Sequence, residues 1–341
     1  MDLRRIGLHP DFWHPVARSA ELAAPGTVPA RFAGEPIALV RTESGALFAL
    51  EDRCAHRQVP LSKGAVSGER LRCGYHGWTY DATGRCVDVP YLAGAAPNGV
   101  RAYPCREAYG LVFVFPGDPA KAAGAAFPEV PSFSDPSYKT RALDRLIRCH
   151  YSFLHENLLD MNHQFLHRSL MGGIGTALLG RDSGDGWVEA RYTFKRTGGK
   201  RPWGEKLMIG ERDESSQDRD TMTIRTSYPY QTLTFRRAGK AAPALDLWLS
   251  YVPQDREQRT NRAFGLMSIR RPALPWLLDL FWPVIARFTD GILDQDRRVV
   301  ELEQLAWDEQ GEDRNQEVFP VILSLRELLA RSGTAIPSRS F

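Results

Sequence analysis

The sequence predicts an α+β protein in two parts: an N-terminal all-β domain, then a domain in which an antiparallel sheet is framed by helices. Three observations predict it. Short apolar runs separated by turn residues fill the chain from about Phe12 to Pro116. An Ala-, Gly- and Pro-rich stretch follows, and the composition changes beyond it. Past that stretch, strand-like runs lie between one helical pattern upstream and two downstream, as a sheet covered by helices requires. The expected boundaries are 10–117 for the first domain, 118–138 for a linker region and 139–341 for the second domain.

In the first domain, Ile37–Arg41 and Ala46–Leu50 are strand-like and are joined by the turn residues Thr42-Glu43-Ser44-Gly45. Thr79–Cys86 reads as a hairpin with Gly84 at its turn. Leu111–Phe115 closes the block, stopped by Pro116-Gly117. In the second domain a helix is expected over Tyr151–Arg168. Strands are expected at Trp187–Phe194, Thr221–Arg225, Gln231–Phe235, Leu245–Val252 and Ala263–Ile269. Helices are expected at Thr289–Glu309 and Glu317–Ala330.

Composition narrows the function. The chain has 341 residues, 43% apolar and 25% charged, which suits a globular protein with a substantial core. A net charge of +3 is too small to argue for nucleic acid or for an anionic membrane. There are five cysteines, and Cys86, Cys105 and Cys149 have no regular spacing, so a reducing compartment is expected rather than a disulfide scaffold. No apolar run follows the N-terminus, and a cytoplasmic location without a transmembrane segment is expected. The segment Pro272–Phe288 is the most lipophilic, but Asp279, Arg287 and its prolines interrupt it. It is expected to be a buried cover on the second domain; the alternative is a surface that meets a membrane or an apolar substrate.

The stretch from Cys54 to His76 carries the first chemistry. It reads Cys54-Ala55-His56-Arg57, then Cys73-Gly74-Tyr75-His76-Gly77-Trp78, with sixteen residues between His56 and Cys73. Each short loop offers one thiolate and one imidazole. Four such ligands can bind tetrahedral zinc, or a two-iron, two-sulfur cluster in which two His replace two Cys on one iron. Spacing alone leaves both open. Cys54-x-His56 is tighter than zinc loops usually are, and the mixed ligands of each loop would let each iron draw on both.

A second set lies on the helix expected from Tyr151. His163 and His167 are four apart and would share a helical face, with Asp160 three residues earlier on the same face. Two His and one carboxylate can hold ferrous iron with positions left open for oxygen. Late in the chain, Asp296 has Ile292, Leu293, Val299 and Val300 as helical neighbours, whereas Asp294 has Asp290, Gly291, Arg297 and Arg298. Asp296 is therefore the inward carboxylate, and a cation is its natural compensation.

Taken together, the two cluster loops, the Glu156-Asn157-x-x-Asp160-x-x-His163-x-x-x-His167 segment and the Gln295-Asp296-x-x-Val299-Val300-Glu301 helix resemble a Rieske non-haem iron oxygenase. The resemblance covers nearly the whole chain. It implies an N-terminal Rieske domain and a C-terminal helix-grip-like catalytic domain. It further implies that Cys54 and Cys73 hold one iron of a [2Fe-2S] cluster, that His56 and His76 hold the other, and that His163, His167 and Asp296 hold a mononuclear Fe(II). Asp160 matches the family's aspartate between an iron-ligand His and a cluster His, and Asn157 matches a polar residue near the iron. Many members place four residues between the two His; this chain has three, which makes transfer of substrate type unsafe.

The resemblance also implies electron transfer between neighbouring subunits, most simply in a homotrimer. Gly173-Ile174-Gly175 follows a helical pattern and lacks a final Gly, so it is no nucleotide fingerprint. Electrons from NAD(P)H would come through a separate reductase or ferredoxin. Arg53, Arg57, Lys63, Arg70 and Arg72 flank the cluster loops as a candidate docking surface. With O2 as co-substrate, the expected activity is monooxygenation or oxidative demethylation of a small aromatic or cyclic compound. A ring-dihydroxylating dioxygenase α subunit and a plain Rieske electron carrier are the alternatives. Leu166, Met171, Phe235, Trp248 and Phe264 are the candidate pocket residues.

Overall fold

In the computed structural model, which describes residues 2–93, 98–200, 202–209 and 219–336, the chain forms two compact units. One comprises His9–Pro128 together with Val252–Gln258. The other comprises the first eight residues, Glu129–Tyr251 and Arg259–Phe341. These limits differ from those expected. The segment after 117 continues the first unit because Phe127 packs edge-on against Trp13 and Phe113, and Lys121 bonds Asp11 at 2.6 Å. The first residues join the second unit because Ile6–Gly7 pairs with Thr334–Ala335.

The first unit is all-β. Gly26–Phe32, Glu35–Arg41, Leu47–Glu51 and Ala102–Tyr103 make one sheet, and His14–Arg18, Cys105–Ala108 and Leu111–Val114 a second. A third, of Ala65–Ser67, Arg70–Arg72, Thr79–Tyr80 and Cys86–Asp88, carries the loop of Cys73 and His76. Its core packs Val40, Leu50, Leu61, Leu71 and Tyr80 against Cys54, Cys73 and Cys86. Gly84 turns the expected hairpin at φ +81°, and a Cβ there would lie 2.1 Å from the Val100 carbonyl oxygen.

The second unit is built on a seven-stranded sheet: β1 (Tyr138–Ile147), β2 (Gly173–Gly184), β3 (Trp187–Gly198), β4 (Thr221–Ser227), β5 (Tyr230–Arg236), β6 (Leu245–Pro253) and β7 (Asn261–Arg270). The spatial order is β1-β7-β6-β5-β4-β3-β2, a meander closed at one edge by the first strand. The registered pairs are antiparallel, Tyr138 to Arg270 and Trp187 to Ser227 among them. Helices α1 (Tyr151–Leu159), α2 (Trp203–Ile209), α3 (Pro275–Leu280), α4 (Trp282–Gln310) and α5 (Pro320–Ser332), with single helical turns at Pro131–Ser134 and Arg168–Met171, pack with it. Among the described residues, no helix is long and apolar enough to cross a membrane.

Two expectations need correction here. The helix expected to run to Arg168 ends at Leu159. Asp160 takes an extended conformation, φ −88° and ψ 92°, and a 3-10 segment, Met161–Phe165, follows it. The Asp160 side chain accepts from the backbone N–H of Asn162, so it caps the new segment instead of continuing the old one. Nor is 272–288 a buried cover. Leu278 and Ile285 point inward, but Leu274, Trp276, Leu280 and Val284 are exposed.

A candidate Rieske centre and a candidate iron site

The two loops of the first unit have the same local design. The Cys54 N–H donates to the Val59 carbonyl at 2.9 Å and the Cys73 N–H to the Trp78 carbonyl at 2.8 Å. Four residues beyond each cysteine, Gln58 and Gly77 take positive φ and donate their N–H back to the cysteine carbonyl. Each loop thus turns its cysteine inward and its histidine outward. Cys54 and Cys73 are buried, whereas His56 and His76 are exposed with ring centroids 4.6 Å apart. Trp78 stacks on His56 at 4.9 Å and 3°. Below the first loop, the Asp52 carboxylate accepts from both the N–H and the hydroxyl of Ser62, each at 2.6 Å.

The donor set suits a buried cluster with one open edge. Burial, backed by the neighbouring Cys54 sulfur, pushes the Cys73 thiol above its ordinary pKa. A thiolate is therefore at home there only beside a cation. Partial desolvation by its neighbours, then the charges of His76 and Arg57, hold the His56 imidazole below its ordinary value, which favours the neutral form that ligates metals. The Tyr80 hydroxyl reaches Cys54 Sγ at 3.2 Å while accepting from the Ala55 N–H at 3.0 Å.

In the second unit, His163, His167 and Asp296 converge, with one ligand atom from each lying within 4.8 Å of the others. Asp296 Oδ1 stands 3.3 Å from His167 Nε2 and 3.9 Å from His163 Nε2. The rings are 5.1 Å apart and nearly perpendicular. Both Nδ1 atoms are engaged: that of His163 with the Asp160 carbonyl, that of His167 with Gln295 Oε1 at 2.9 Å. Carbonyl acceptors require Nδ1–H, which leaves each Nε2 lone pair free and directed to the common point. Asp296 Oδ1 is buried and has no hydrogen-bond partner among the described residues. A buried carboxylate oxygen between two imidazole lone pairs is the donor set of a cation site, and the trio fits an open ferrous site.

The charges around the trio follow from the same contacts. Burial holds His163 below its ordinary pKa despite Asp296. At His167 burial lowers the value, but Asp296 and Gln295 outweigh it and the net direction is upward. Asp294 points the other way and pairs with Arg145 and Arg297, each at 3.7 Å. The helix bearing Asp296 is tied to β1 by Asp290, which accepts from Arg141 at 2.8 Å with both oxygens and also bonds Arg145.

The remaining candidates are placed as follows. Asn157 lines a small cavity of about 70 Å³ beside Asp296, with Leu158, Leu249 and Leu293. Asp160 Oδ1 accepts from Asn162 Nδ2 at 2.8 Å as well as from its N–H. Met171 and Phe235 line a larger cavity of about 500 Å³ together with Gln164, Phe194 and Met222. Trp248 and Phe264 are core residues, and Leu166 is half-buried. Arg53 bonds Glu51, whereas Arg57, Lys63, Arg70 and Arg72 are exposed. Gln295, Tyr80 and Asp52 were not among the predicted site residues. Only Gln295 carried a sequence signal, its place next to Asp296.

Known proteins share this layout. Residues 12–104 match the family model of the Rieske [2Fe-2S] domain, and residues 147–322 match that of the vanillate O-demethylase oxygenase C-terminal domain. The 4β-methylsterol monooxygenase of Methylococcus capsulatus is 31% identical over 96% of this chain and 89% of its own length. The oxygenase component of dicamba O-demethylase from Stenotrophomonas maltophilia is 40% identical over 39% of this chain and 40% of its own length. A crystal structure of dicamba monooxygenase bound to dicamba shares the fold, with a TM-score of 0.77 at 23% identity over 95% of this chain and 98% of that one. With both family segments in place and a relative aligned over nearly its full length, the chain belongs to the Rieske oxygenases, a family of oxidoreductases.

Proposed function

We propose that this chain is the oxygenase component of a multi-component monooxygenase that hydroxylates or oxidatively demethylates a small cyclic or aromatic compound. One observation carries the reading: His163 Nε2, His167 Nε2 and the unpartnered Asp296 Oδ1 meet at one point. Bound there, a ferrous ion would supply oxygen activation, and a [2Fe-2S] cluster on Cys54, His56, Cys73 and His76 its electrons.

The protein's own part is positioning. Gln295 and the Asp160 carbonyl keep the two imidazoles in the Nδ1–H tautomer. Asn157 presents a polar group to the cavity beside Asp296, where a substrate or O2 would be oriented. The larger cavity mixes apolar walls such as Phe194, Met222 and Phe235 with Arg196, Glu205, Lys206 and Asp220, which suits a substrate that is mainly apolar but carries a polar group, and its volume of about 500 Å³ lies in the usual range for small-molecule sites. The two relatives named above, a methylsterol monooxygenase and a dicamba demethylase, make one-atom oxidation the preferred reaction class.

Electrons would arrive from a ferredoxin or an NAD(P)H-dependent reductase. The exposed Arg57, Lys63, Arg70 and Arg72 suit an acidic carrier. Transfer would then run to the iron of a neighbouring subunit in a head-to-tail homotrimer, with Asp160 at the contact. Asp160 Oδ1 is held by Asn162, which leaves Oδ2 for a partner's imidazole. Five cysteines without a disulfide among them suit a reducing cytoplasm.

Metal analysis with EPR tests the assignment. The oxygenase reading expects three irons per chain, and two in Asp296→Ala. Two irons in the wild type would leave an electron carrier. Labelled O2 separates one inserted atom from the two of a dihydroxylation. Light scattering tests the trimer; a monomer that turns over would remove the role given to Asp160.

A further inference from the structure

The larger cavity of the second unit lies beside the candidate iron site. Pairing across the sheet sets its wall: Leu245 lies opposite Phe235, and Phe235 opposite Met222. Met222 lies opposite Tyr192, whose strand turns Phe194 and Arg196 to the same side. Residues directly opposite share a face, so these side chains form one face of the sheet. Leu247 and Leu249 follow Leu245 on that face of β6, and they wall the small cavity beside Asp296. The two cavities are therefore neighbours along β6, where successive side chains on one face stand about 7 Å apart.

The charges of the larger cavity cancel, and its cations are engaged. Arg196 donates to Glu205 and to the Met171 carbonyl, each at 2.7 Å. Lys206 is likewise engaged. Asp220 Oδ1 accepts from the Ala238 N–H at 2.9 Å. A carboxylate entering here would meet Glu205 and Asp220 with no free cation to offset them. Gln164 differs from these groups. It lines the cavity one residue past His163 and is 9% exposed. Its Nε2 reaches the Met161 sulfur at 3.9 Å, and its Oε1 is buried without a hydrogen-bond partner among the described residues. No other residue lining the cavity has a buried side-chain polar atom in that state. A thioether is a weak acceptor, so the fold leaves this carboxamide largely unmet. A hydroxyl both donates and accepts, and it can therefore meet a carboxamide at either end.

We propose that Gln164 selects the substrate: a neutral, elongated, largely apolar compound whose hydroxyl bonds the Gln164 carboxamide in the larger cavity while its far end reaches the small cavity beside Asp296. The apolar stripe of Leu245, Leu247 and Leu249 would carry the body of such a molecule. Calling the occupant a substrate rests on the oxygenase reading; the binding itself needs no iron.

Equilibrium dialysis of the full chain tests it with three probes on one skeleton: 4-cyclohexylcyclohexanol, the analogue with a methyl group in place of the hydroxyl, and 4-cyclohexylcyclohexanecarboxylate. The wild type is expected to bind the alcohol, and to bind the carboxylate at least about tenfold more weakly. Gln164→Leu should weaken the alcohol at least about tenfold relative to the methyl analogue. Gln164→Met, which keeps the length of the side chain, should do the same. Iron content should hold in both variants, because residue 164 serves the ligand turn through its carbonyl, which accepts from the His167 N–H at 3.2 Å. Four results would overturn the proposal: no binding of the alcohol by the wild type, a carboxylate bound as tightly as the alcohol, an alcohol-to-methyl ratio unchanged in both variants, or loss of iron from both, which would make Gln164 a support of the ligand turn. Two irons in a wild type whose alcohol binding depends on Gln164 would remove the oxygenase reading and leave this binding standing.

Discussion

Gln295→Leu isolates what holds the His167 imidazole. In the wild type, His167 is 2% exposed and its Nδ1–H has one partner, Gln295 Oε1 at 2.9 Å. Leucine keeps the approximate volume and removes the acceptor. A buried N–H left unpaired costs about 1–3 kcal/mol, a factor of roughly 5 to 150. Loss of an outer partner of a metal-ligating His typically weakens metal binding about 10–100-fold. The two ranges overlap, so Fe(II) affinity should fall by about 10–100-fold. The second bond of Gln295, from Nε2 to Ser169 Oγ at 3.0 Å, is exposed and adds little. The assay is competition with a chelator of known affinity, read by metal content, with turnover measured at saturating iron. Turnover there should recover most of its wild-type value, because His163, Asp296 and the cavities are unchanged. Gln295→Glu, which keeps an acceptor in the same place, should bind iron within a few-fold of the wild type. If Gln295→Leu binds iron as tightly as the wild type, the hydrogen bond does not set the imidazole, and the tautomer argument for His167 fails with it.

Other perturbations reach the parts that frame the site. Glu156 joins Arg4, 1% exposed in its side chain, and Arg326; Glu156→Ala takes the shared carboxylate from both, leaving Arg4 its bond to Ser152 and Arg326 its pairing with Asp313 at 3.7 Å, and should cost about 3–5 kcal/mol, read by urea denaturation. At Asp290 burial alone would raise the carboxyl pKa, but the Arg141 bonds and the charges of Arg141 and Arg145 outweigh it and hold it below 3.8. Its stabilisation is thus present above the unfolded pKa, about 4, and is lost as pH falls through the folded value. Asp290→Asn should lower Tm near neutral pH, and the gap to the wild type should close below about pH 4; a gap that widens in acid would reverse the assignment. Tyr80→Phe removes the donor to Cys54 Sγ and should lower the cluster's midpoint potential, measured by protein-film voltammetry; an unchanged or higher potential would count against that bond. Asp160→Asn keeps an oxygen for the cap and the carbonyl for His163, so iron content and Tm should hold while re-reduction of the iron slows about tenfold or more. Unchanged re-reduction in assembled protein would take the carboxylate out of the electron path.

The legible and illegible parts of this protein divide by range of interaction. The loops at Cys54 and Cys73 could be read because each is closed by its own backbone bonds within five residues. The five expected strands of the sheet all form, since alternation is local. The first two strands, Tyr138–Ile147 and Gly173–Gly184, were missed. β1 earns its place through ten registered pairs with β7, more than a hundred residues away. β2 is rich in glycine and largely exposed, and it is held by its pairing with β3. The inward turn of Asp296 was readable from its apolar neighbours at helical spacing. The roles of Gln295 and Asp52 were not, because each depends on a partner whose orientation only the fold fixes. The exposed face at Leu274–Val284 defied the usual inference from apolar composition to burial. Two prolines start new helices there, and the turns between them leave only Leu278 and Ile285 facing in.

The break at Asp160 explains why three intervening residues suffice for this histidine pair. In an unbroken α-helix the i, i+4 rings would lie on one face, and each Nδ1 would need a partner supplied from outside the helix. Here the chain leaves helical geometry one turn before His163. That frees the Asp160 carbonyl from the regular ladder and puts it on His163 Nδ1. The first ligand is therefore oriented by main chain, which no side-chain substitution at Asp160 deletes. The second, on the turn that follows, is oriented by Gln295 from α4, the helix that also presents Asp296. Two of the three proposed ligands thus depend on the placement of α4 against β1, which the Arg141–Asp290 pairing fixes. Weakening that pairing should loosen Asp296 and His167 together while His163 stays set. On the proposed assignment, iron retention would be governed from β1, at a distance in sequence that the His-x-x-x-His pattern does not reveal.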